Sequence, residues 1–252
     1  MNRDLSLRGI FTEWVREVVG IEGRLPRTLG KLFAHPGVLT RAALEGERGT
    51  YLSALKLFLS ANVAVFLVGP YIGAFAFELE AFVQESAFYR AFVERELLDL
   101  GMSAEAYGLR FDFTIRQHAP TFIFLVIPAM AGVYKALLPD RLFGEHLVHA
   151  TDFVAWFILV VLLAVIFMRL AGIPGETLLD NPVVSLVANG AVLAGLIGLI
   201  GWYVSRSLAT AFGLRGAGIW TRTAVVAVGL AGLLYGYSQF LFWSTVVAVR
   251  LS

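Results

Sequence analysis

Residues 153–168 read FVAWFILVVLLAVIFM, an apolar run that is bounded by Asp152 and Arg169. A helix needs roughly 20 apolar residues to cross the hydrocarbon core of a bilayer. This run has 16, so we expect its helix to continue past one or both charges. The run does not alternate apolar and polar residues as a barrel strand would. It therefore predicts a membrane-spanning α-helix, because a helix satisfies its own backbone in lipid.

Four other uncharged stretches resemble it, at residues 57–77, 117–134, 181–205 and 223–249. The whole chain of 252 residues is 58% hydrophobic and 15% charged, with a mean hydropathy of +0.75. We therefore predict an all-α membrane protein, a bundle of about five transmembrane helices in contact with the lipid bilayer. The composition excludes a disordered or nucleic-acid-binding chain, and the lack of cysteine excludes a disulfide framework or thiol nucleophile. No nucleotide-binding motif occurs, so we expect neither a nucleotide nor another cofactor.

The charges predict two regions, a cytoplasmic amphipathic and basic region at 1–50 and a five-span domain at 51–252. Eight Lys and Arg residues precede the first span, whereas segment 78–119 carries eight acids and four Arg. The positive-inside rule then places the N-terminus in the cytoplasm and the C-terminus outside. The external segment 78–119 is predicted to be helical, with Gly101 ending one helix and Ser103 capping the next. We expect it to be a solvated connector rather than a cap over the bundle.

Residues 4–19 have the apolar spacing of an amphipathic helix. This helix is expected to lie on the inner leaflet, although packing against the protein's own bundle fits equally well. From Arg24 to Arg48, basic residues alternate with apolar groups and with glycine or proline, which predicts short helices joined by turns. Their basic side chains would either anchor the chain at head groups or bind a phosphate or lipid. The apolar stripe of the first helix consists of Leu7, Ile10, Phe11, Trp14, Val15 and Val18.

The densest polar group precedes the third span, where residues 144–152 read GEHLVHATD. On a helix, Glu145, His149 and Asp152 share one face, and His146 points about 100° away from Glu145. Three interpretations remain open: a hydrogen-bonded anchor for the helix end, a proton relay or ion site, and a metal site formed by Glu145, His149 and Asp152.

Other candidate residues lie within the spans. The polar side chains are expected to face the bundle interior, where they would either line a path or join helices by hydrogen bonds. Small residues at four-residue spacing let two helices approach closely, either within one chain or between subunits. The polar residues are Lys56, Asn62, Asn189 and Gln239, and the small residues are Gly190, Ala194, Gly198, Gly232 and Gly236.

Two stretches carry a family resemblance, HPGVLTRAALEGERGTYLS at residues 35–53 and GEHLV at residues 144–148. They resemble the approach to the first span and the start of a later span in the bacterial integral-membrane family called domain of unknown function 3667. The resemblance implies a bacterial inner-membrane location and no particular activity. The chain departs from the family in two ways: it lacks the cysteine-rich zinc ribbon that many members carry, and Asp152 stands where a second histidine is expected.

Three functions follow as hypotheses. The first is a small transport or ion-permeation protein, a homo-oligomer, in which Asp152, His149 and Glu145 guard the cytoplasmic end of the path. The second is a non-catalytic membrane scaffold or assembly factor. The third is a metal-dependent membrane enzyme that uses Glu145, His146, His149 and Asp152. We assign no catalytic residue, and an enzyme is the less favoured class.

Overall fold

The computed structural model describes residues 23–47, 49–72, 78–170 and 182–251, without the side chains of Pro70 and of residues 182–193. All regular structure in these ranges is helical. The predicted amphipathic helix at 4–19, with its stripe from Leu7 to Val18, lies outside the described residues. The helices are α1 (Arg24–Ala34), α2 (Val38–Leu44), α3 (Ala54–Ile72), α4 (Leu79–Glu85), α5 (Ala87–Leu100), α6 (Ala104–Phe122), α7 (Val126–Leu137), α8 (Phe143–Leu170), α9 (Pro182–Phe212) and α10 (Gly218–Leu251).

Three helical stretches in the described part of the chain are long and apolar enough to cross a membrane: Ala104–Leu137, Phe143–Leu170 and Gly218–Leu251. The expected first span is apolar over Ala54–Gly69, which is shorter. Most of the expected fourth span falls where side chains are not described. The all-helical class is confirmed, and the count of five spans stays a prediction. The run at 153–168 lies within a helix that continues past both flanking charges, as its length predicted.

The turns at residues 35–37, 138–142 and 213–217 lie together at one end of the bundle. Gly37 approaches the backbone of Ser207 in α9, and the Arg141 guanidinium lies 5.9 Å from the centre of the Phe212 ring. We call this the basic end. Its basic residues include Arg24, Arg27, Lys31, Arg41, Arg141, Arg206, Arg215 and Arg222.

The other end is reached along α10, whose 34 residues span about 51 Å at 1.5 Å per residue. There α4, α5, the start of α6 and the end of α10 pack together. We call this the aromatic end. Its buried cluster contains Phe82, Tyr89, Phe111 and Phe242, with Phe92 and Trp243 packed against Phe242.

Segment 78–119 is helical, as predicted, with a left-handed Gly101 at the end of α5 and a Ser103 hydroxyl that accepts from the Ala106 amide at the start of α6. The expectation of a solvated connector is wrong. The apolar face of segment 78–119 is covered, because Phe82 and Tyr89 pack against Phe242 of α10. The segment also divides differently, since its last helix, α6, is the first part of the long apolar stretch Ala104–Leu137.

The stretch Ala104–Leu137 is interrupted once, at Pro120. A proline within a helix lacks the amide that would bond the preceding turn, and here α6 gives way to a 3₁₀ turn at Ile123–Leu125 before α7 begins. Two neighbouring helices bond the carbonyls at this break. Asn62 of α3 donates to the Pro120 carbonyl at 3.0 Å, and the Tyr237 hydroxyl of α10 donates to that of Ala119. The break is therefore fixed in place by side chains on both sides.

Candidate functional site

A buried chain of four polar side chains joins three helices at the basic end. The residues are Thr40 of α2, His149 and Asp152 of α8, and Ser207 of α9. None is more than 4% exposed. Polar groups buried this deeply lower the stability of the folded protein unless each has a hydrogen-bond partner. We call this set the polar chain.

The Thr40 hydroxyl lies at the centre of the polar chain. It donates to Asp152 Oδ2 at 2.7 Å and lies 3.2 Å from His149 Nδ1. On the other side of the imidazole, Nε2 lies 3.3 Å from the Ser207 hydroxyl oxygen. Ser207 also lies 3.2 Å from the Val204 carbonyl, to which it can donate instead.

With Asp152 ionised, these contacts select one tautomer of His149. A threonine hydroxyl has one hydrogen, and Thr40 gives it to Asp152. The Thr40 oxygen can then only accept from His149, so Nδ1 carries the imidazole hydrogen and Nε2 is the acceptor. The result is a directed sequence of donors that runs from His149 through Thr40 to the Asp152 carboxyl.

Thr40 reaches this position because α1 and α2 form a hairpin against the bundle. Gly37, at the start of α2, has a φ of +85°, and a Cβ there would lie 2.5 Å from the Ser207 carbonyl oxygen. Only glycine fits both requirements. On α1, the Thr28 hydroxyl donates to the Arg24 carbonyl and accepts from the Leu52 amide at 3.0 Å. The hairpin is thereby attached both to α9 and to the start of α3.

Aromatic rings surround the imidazole of His149. The Tyr134 ring lies edge-on to it at 4.6 Å between centroids, and the Phe212 ring lies at 5.1 Å. The Tyr134 hydroxyl is buried and has no hydrogen-bond partner among the described residues. The rings exclude water from the side of the imidazole.

The polar residues that were predicted to act together on α8 form two separate sets in the structure. His149 and Asp152 belong to the polar chain. His146 donates from Nε2 to the Leu138 carbonyl at 3.1 Å, and Glu145 faces Arg141 at 3.8 Å. In the described part of the chain, no group of three His, Cys, Asp or Glu side chains could hold a metal ion. The three predicted metal ligands, Glu145, His149 and Asp152, therefore do not form a common site in this structure.

The other predicted polar residues lie away from the polar chain. Asn62 bonds the carbonyl at the Pro120 break, Gln239 accepts from the Tyr89 hydroxyl, and Lys56 is exposed in the first turn of α3. Burial raises the pKa of the Tyr89 phenol, which keeps it a donor. The side chain of Asn189 lies outside the described residues. Asn62 and Gln239 thus join helices, which is one of the two roles that the sequence allowed.

The small residues of α9 and α10 face outward where they are described. Ala194, Gly198, Gly232 and Gly236 are exposed, and a Cβ added at any of these three glycines would meet nothing within 4 Å. Gly190 lies in the part of α9 without described side chains. Packing of these described residues between α9 and α10 of one chain is therefore excluded, and contact with lipid or a second subunit remains.

Sequence reasoning missed Thr40, Ser207 and Tyr134. Thr40 and Asp152 are 112 residues apart, so no local pattern connects them. The one available signal for Thr40 was its place inside the stretch 35–53 that carries the family resemblance. Ser207 and Tyr134 have no distinguishing neighbours in the sequence.

The fold and the polar chain together define an all-helical protein whose long apolar helices are compatible with a membrane, with ionisable side chains buried at one end. The family model described as protein of unknown function (DUF3667) matches residues 22–66, which confirms the family resemblance. The match covers α1, α2 and most of α3, and includes Gly37 and Thr40. No curated protein and no solved structure matches the chain significantly.

The structure also brings together the two stretches that carried the resemblance. Thr40 lies in the first stretch, and the segment around Glu145–Val148 leads directly into His149 and Asp152. The bonds from Thr40 to His149 and Asp152 join them. The part of the chain that the family model matches is therefore the part that completes the polar chain.

Proposed function

We propose that the protein is a small multi-pass membrane transport protein that moves protons, alone or together with a solute, through the polar chain. The observation that carries this proposal is the directed bonding from His149 through Thr40 to Asp152 inside a bundle of apolar helices. Ionisable residues at such positions are costly to bury and commonly serve proton or ion pathways. The inner-membrane location and the cytoplasmic N-terminus belong to the same proposal.

The proposed transfer step is balanced within the polar chain. A proton arrives at His149 Nε2 from the side of Ser207. His149 gives its Nδ1 hydrogen to the Thr40 oxygen, and the original Thr40 hydrogen passes to the Asp152 carboxylate. One proton has then moved from the Ser207 side to Asp152, and the imidazole returns to neutral.

Burial favours gated transfer over an open pore. The four side chains are at most 4% exposed, so a proton can enter or leave only after part of the surrounding structure moves. The α1–α2 hairpin is the natural moving part, because it supplies Thr40 and docks from the end of the bundle. The transport cycle we propose alternates between this closed arrangement and one in which the hairpin has shifted.

The test is proton flux into vesicles that contain the reconstituted protein and a pH-sensitive dye, with the membrane potential clamped. Asp152→Asn keeps an oxygen that accepts from Thr40 but removes the carboxylate that must take the proton, so we expect flux to be lost. Asp140→Asn, an exposed site at the same end, is the matched control and should retain full flux. Unchanged flux in Asp152→Asn would refute the proposal.

Thr40 gives a second comparison that separates chemistry from folding. Thr40→Ser retains the hydroxyl and should retain flux, whereas Thr40→Val has nearly the same shape and removes it. We expect Thr40→Val to lose flux while it still elutes as a folded protein. Equal flux in the two variants would show that the hydroxyl carries no proton.

A second candidate function is a membrane scaffold. It is favoured by the outward face of α5, where Arg90, Glu94, Arg95 and Asp99 are all exposed. Charge reversal at Arg90 and Arg95 should then abolish a specific cross-link to a partner in native membranes, while Arg110→Glu should not. A cross-linking pattern that is identical in all three proteins would count against a scaffold that uses this face.

A further inference from the structure

Helix α1 presents three basic residues along one side. Arg24, Arg27 and Lys31 occur at i, i+3 and i+7, which places them within about 60° of one another around the helix. Arg24 and Arg27 are exposed and Lys31 is half-buried. The adjacent side of the helix is held against the protein, because Thr28 and Leu32 are at most 1% exposed. The orientation of the basic side is therefore fixed.

Among the residues that the structure describes, these three cations have no acidic partner. Within the described ranges, no carboxylate lies within 4.0 Å of Arg24, Arg27 or Lys31, whereas Glu45 at the same end is already paired with Arg41 at 2.7 Å. A cluster of like charges without counter-charges is unfavourable by itself and attracts an anion. An anion that pairs with them therefore comes from outside the described part of the chain.

The position of α1 along the bundle, next to the start of the apolar stretch of α3, indicates the source of such an anion. The Thr28 hydroxyl accepts from the Leu52 amide at 3.0 Å, and the apolar stretch of α3 begins two residues later, at Ala54. At the same end Trp220, in the first turn of α10, is 66% exposed, as is typical of tryptophan at a membrane surface. Helix α1 thus lies where the hydrocarbon would end and the head groups begin.

We propose that Arg24, Arg27 and Lys31 form a binding face for the phosphate groups of anionic phospholipids. The arginine guanidinium offers paired donors to a phosphate and the lysine a compact positive charge. A zwitterionic head group also carries a cation, which the three basic residues repel. The face therefore selects lipids with net negative charge. The three residues of this face are not members of the polar chain.

The test is a competition between two lipids. The full-length protein is reconstituted with equal amounts of phosphatidylglycerol and phosphatidylcholine, released in mild detergent, and its retained lipids are identified by native mass spectrometry. We expect the wild-type protein to retain phosphatidylglycerol preferentially. The triple variant Arg24→Gln, Arg27→Gln, Lys31→Gln should lower that preference by roughly tenfold or more, since each basic residue near a charged surface contributes measurably.

A matched triple variant at the aromatic end controls for net charge. Arg90→Gln, Arg95→Gln and Arg110→Gln remove the same charge from exposed positions and should leave the preference intact. In addition, about 1 M salt should weaken the wild-type preference, because the screening length falls to about 3 Å. Equal loss in both triple variants, or no preference in the wild type, would overturn the proposal.

Discussion

The basic end and the aromatic end are held together by different kinds of interaction. At the basic end, three helices meet through hydrogen bonds that each need one particular partner, centred on Thr40. At the aromatic end, helices meet through ring contacts around Phe242, at centroid distances between 4.6 and 6.0 Å. Ring packing adapts to small changes, whereas a buried polar chain loses its partners all at once. The aromatic end is therefore suited to stabilising the fold, and the basic end is suited to a change between two conformations.

A buried carboxylate paired with an arginine at the aromatic end sharpens this contrast. Glu96 is 1% exposed, and its carboxylate receives two hydrogen bonds from Arg250 near the end of α10. Both Glu96 oxygens accept from a guanidinium that stays protonated, so this pair passes no proton onward. At the basic end, by contrast, Thr40 and His149 each contact two polar groups of the polar chain.

The largest expected effect is the loss of the central ring. Phe242→Ala removes a side chain that is 0% exposed and should lower the free energy of unfolding by about 4 kcal/mol. The measurement is unfolding in mixed micelles, followed by circular dichroism. Phe113→Ala, at a position 66% exposed, should change it by less than about 1 kcal/mol. Similar losses in both would mean that the aromatic end is not a packed core.

The next effect concerns the docking of the hairpin. Gly37→Ala should cost about 3 kcal/mol, because a left-handed backbone and a contact with the Ser207 backbone both oppose a Cβ. Gly46→Ala separates the two causes. Its φ is +78° but nothing lies within 4 Å of a Cβ there, so about 1 kcal/mol is expected. Thermal unfolding in detergent would measure both, and equal costs would refute the close approach.

Two buried threonines test the bonding at each end. Thr40→Val should destabilise the protein by about 2 kcal/mol, since it leaves Asp152 and His149 without their shared partner. Thr245, 0% exposed near the end of α10, has no hydrogen-bond partner for its hydroxyl among the described residues. Thr245→Val should therefore be neutral or slightly stabilising. Chemical unfolding of the pair compares them directly, and the reverse order would contradict the proposed bonding.

Local features of the fold were predictable from the sequence. The length of the apolar run at 153–168 required a helix that continues past its charges, and Gly101 and Ser103 mark a helix end and a helix start by their own chemistry. These features depend on residues within one or two turns of each other. The short helices of the basic segment followed from its glycine and proline spacing in the same way.

The contacts that complete the site were not predictable. Thr40 meets Asp152 across 112 residues, and helical periodicity fixes which residues share a face but not which helix covers that face. The same limit explains the incorrect expectation of a solvated connector at 78–119. The acids of the segment suggested a solvated connector, but Glu96 is buried and only packing against α10 accounts for Phe82, Tyr89 and Phe111.

The smallest expected effect lies between the two ends, on the outward faces of α9 and α10. Gly198→Ala and Gly232→Ala should each stabilise the subunit by about 0.5–1 kcal/mol, because alanine favours a helix and the space around both positions is open. Gly229→Ala is the contrasting case, since its Cβ would lie 3.0 Å from a methyl group of Val133. There the crowding should cancel the gain or reverse it.

The same three variants decide between lipid and a second subunit on that outward face. Thermal unfolding of the isolated subunit and native mass spectrometry of the assembly report the two effects separately. If Gly198→Ala and Gly232→Ala stabilise the subunit and leave its assembly unchanged, the small residues face lipid. If they weaken an oligomer while Gly229→Ala does not, helices from two subunits approach each other along these glycines, because an added methyl group prevents close backbone contact.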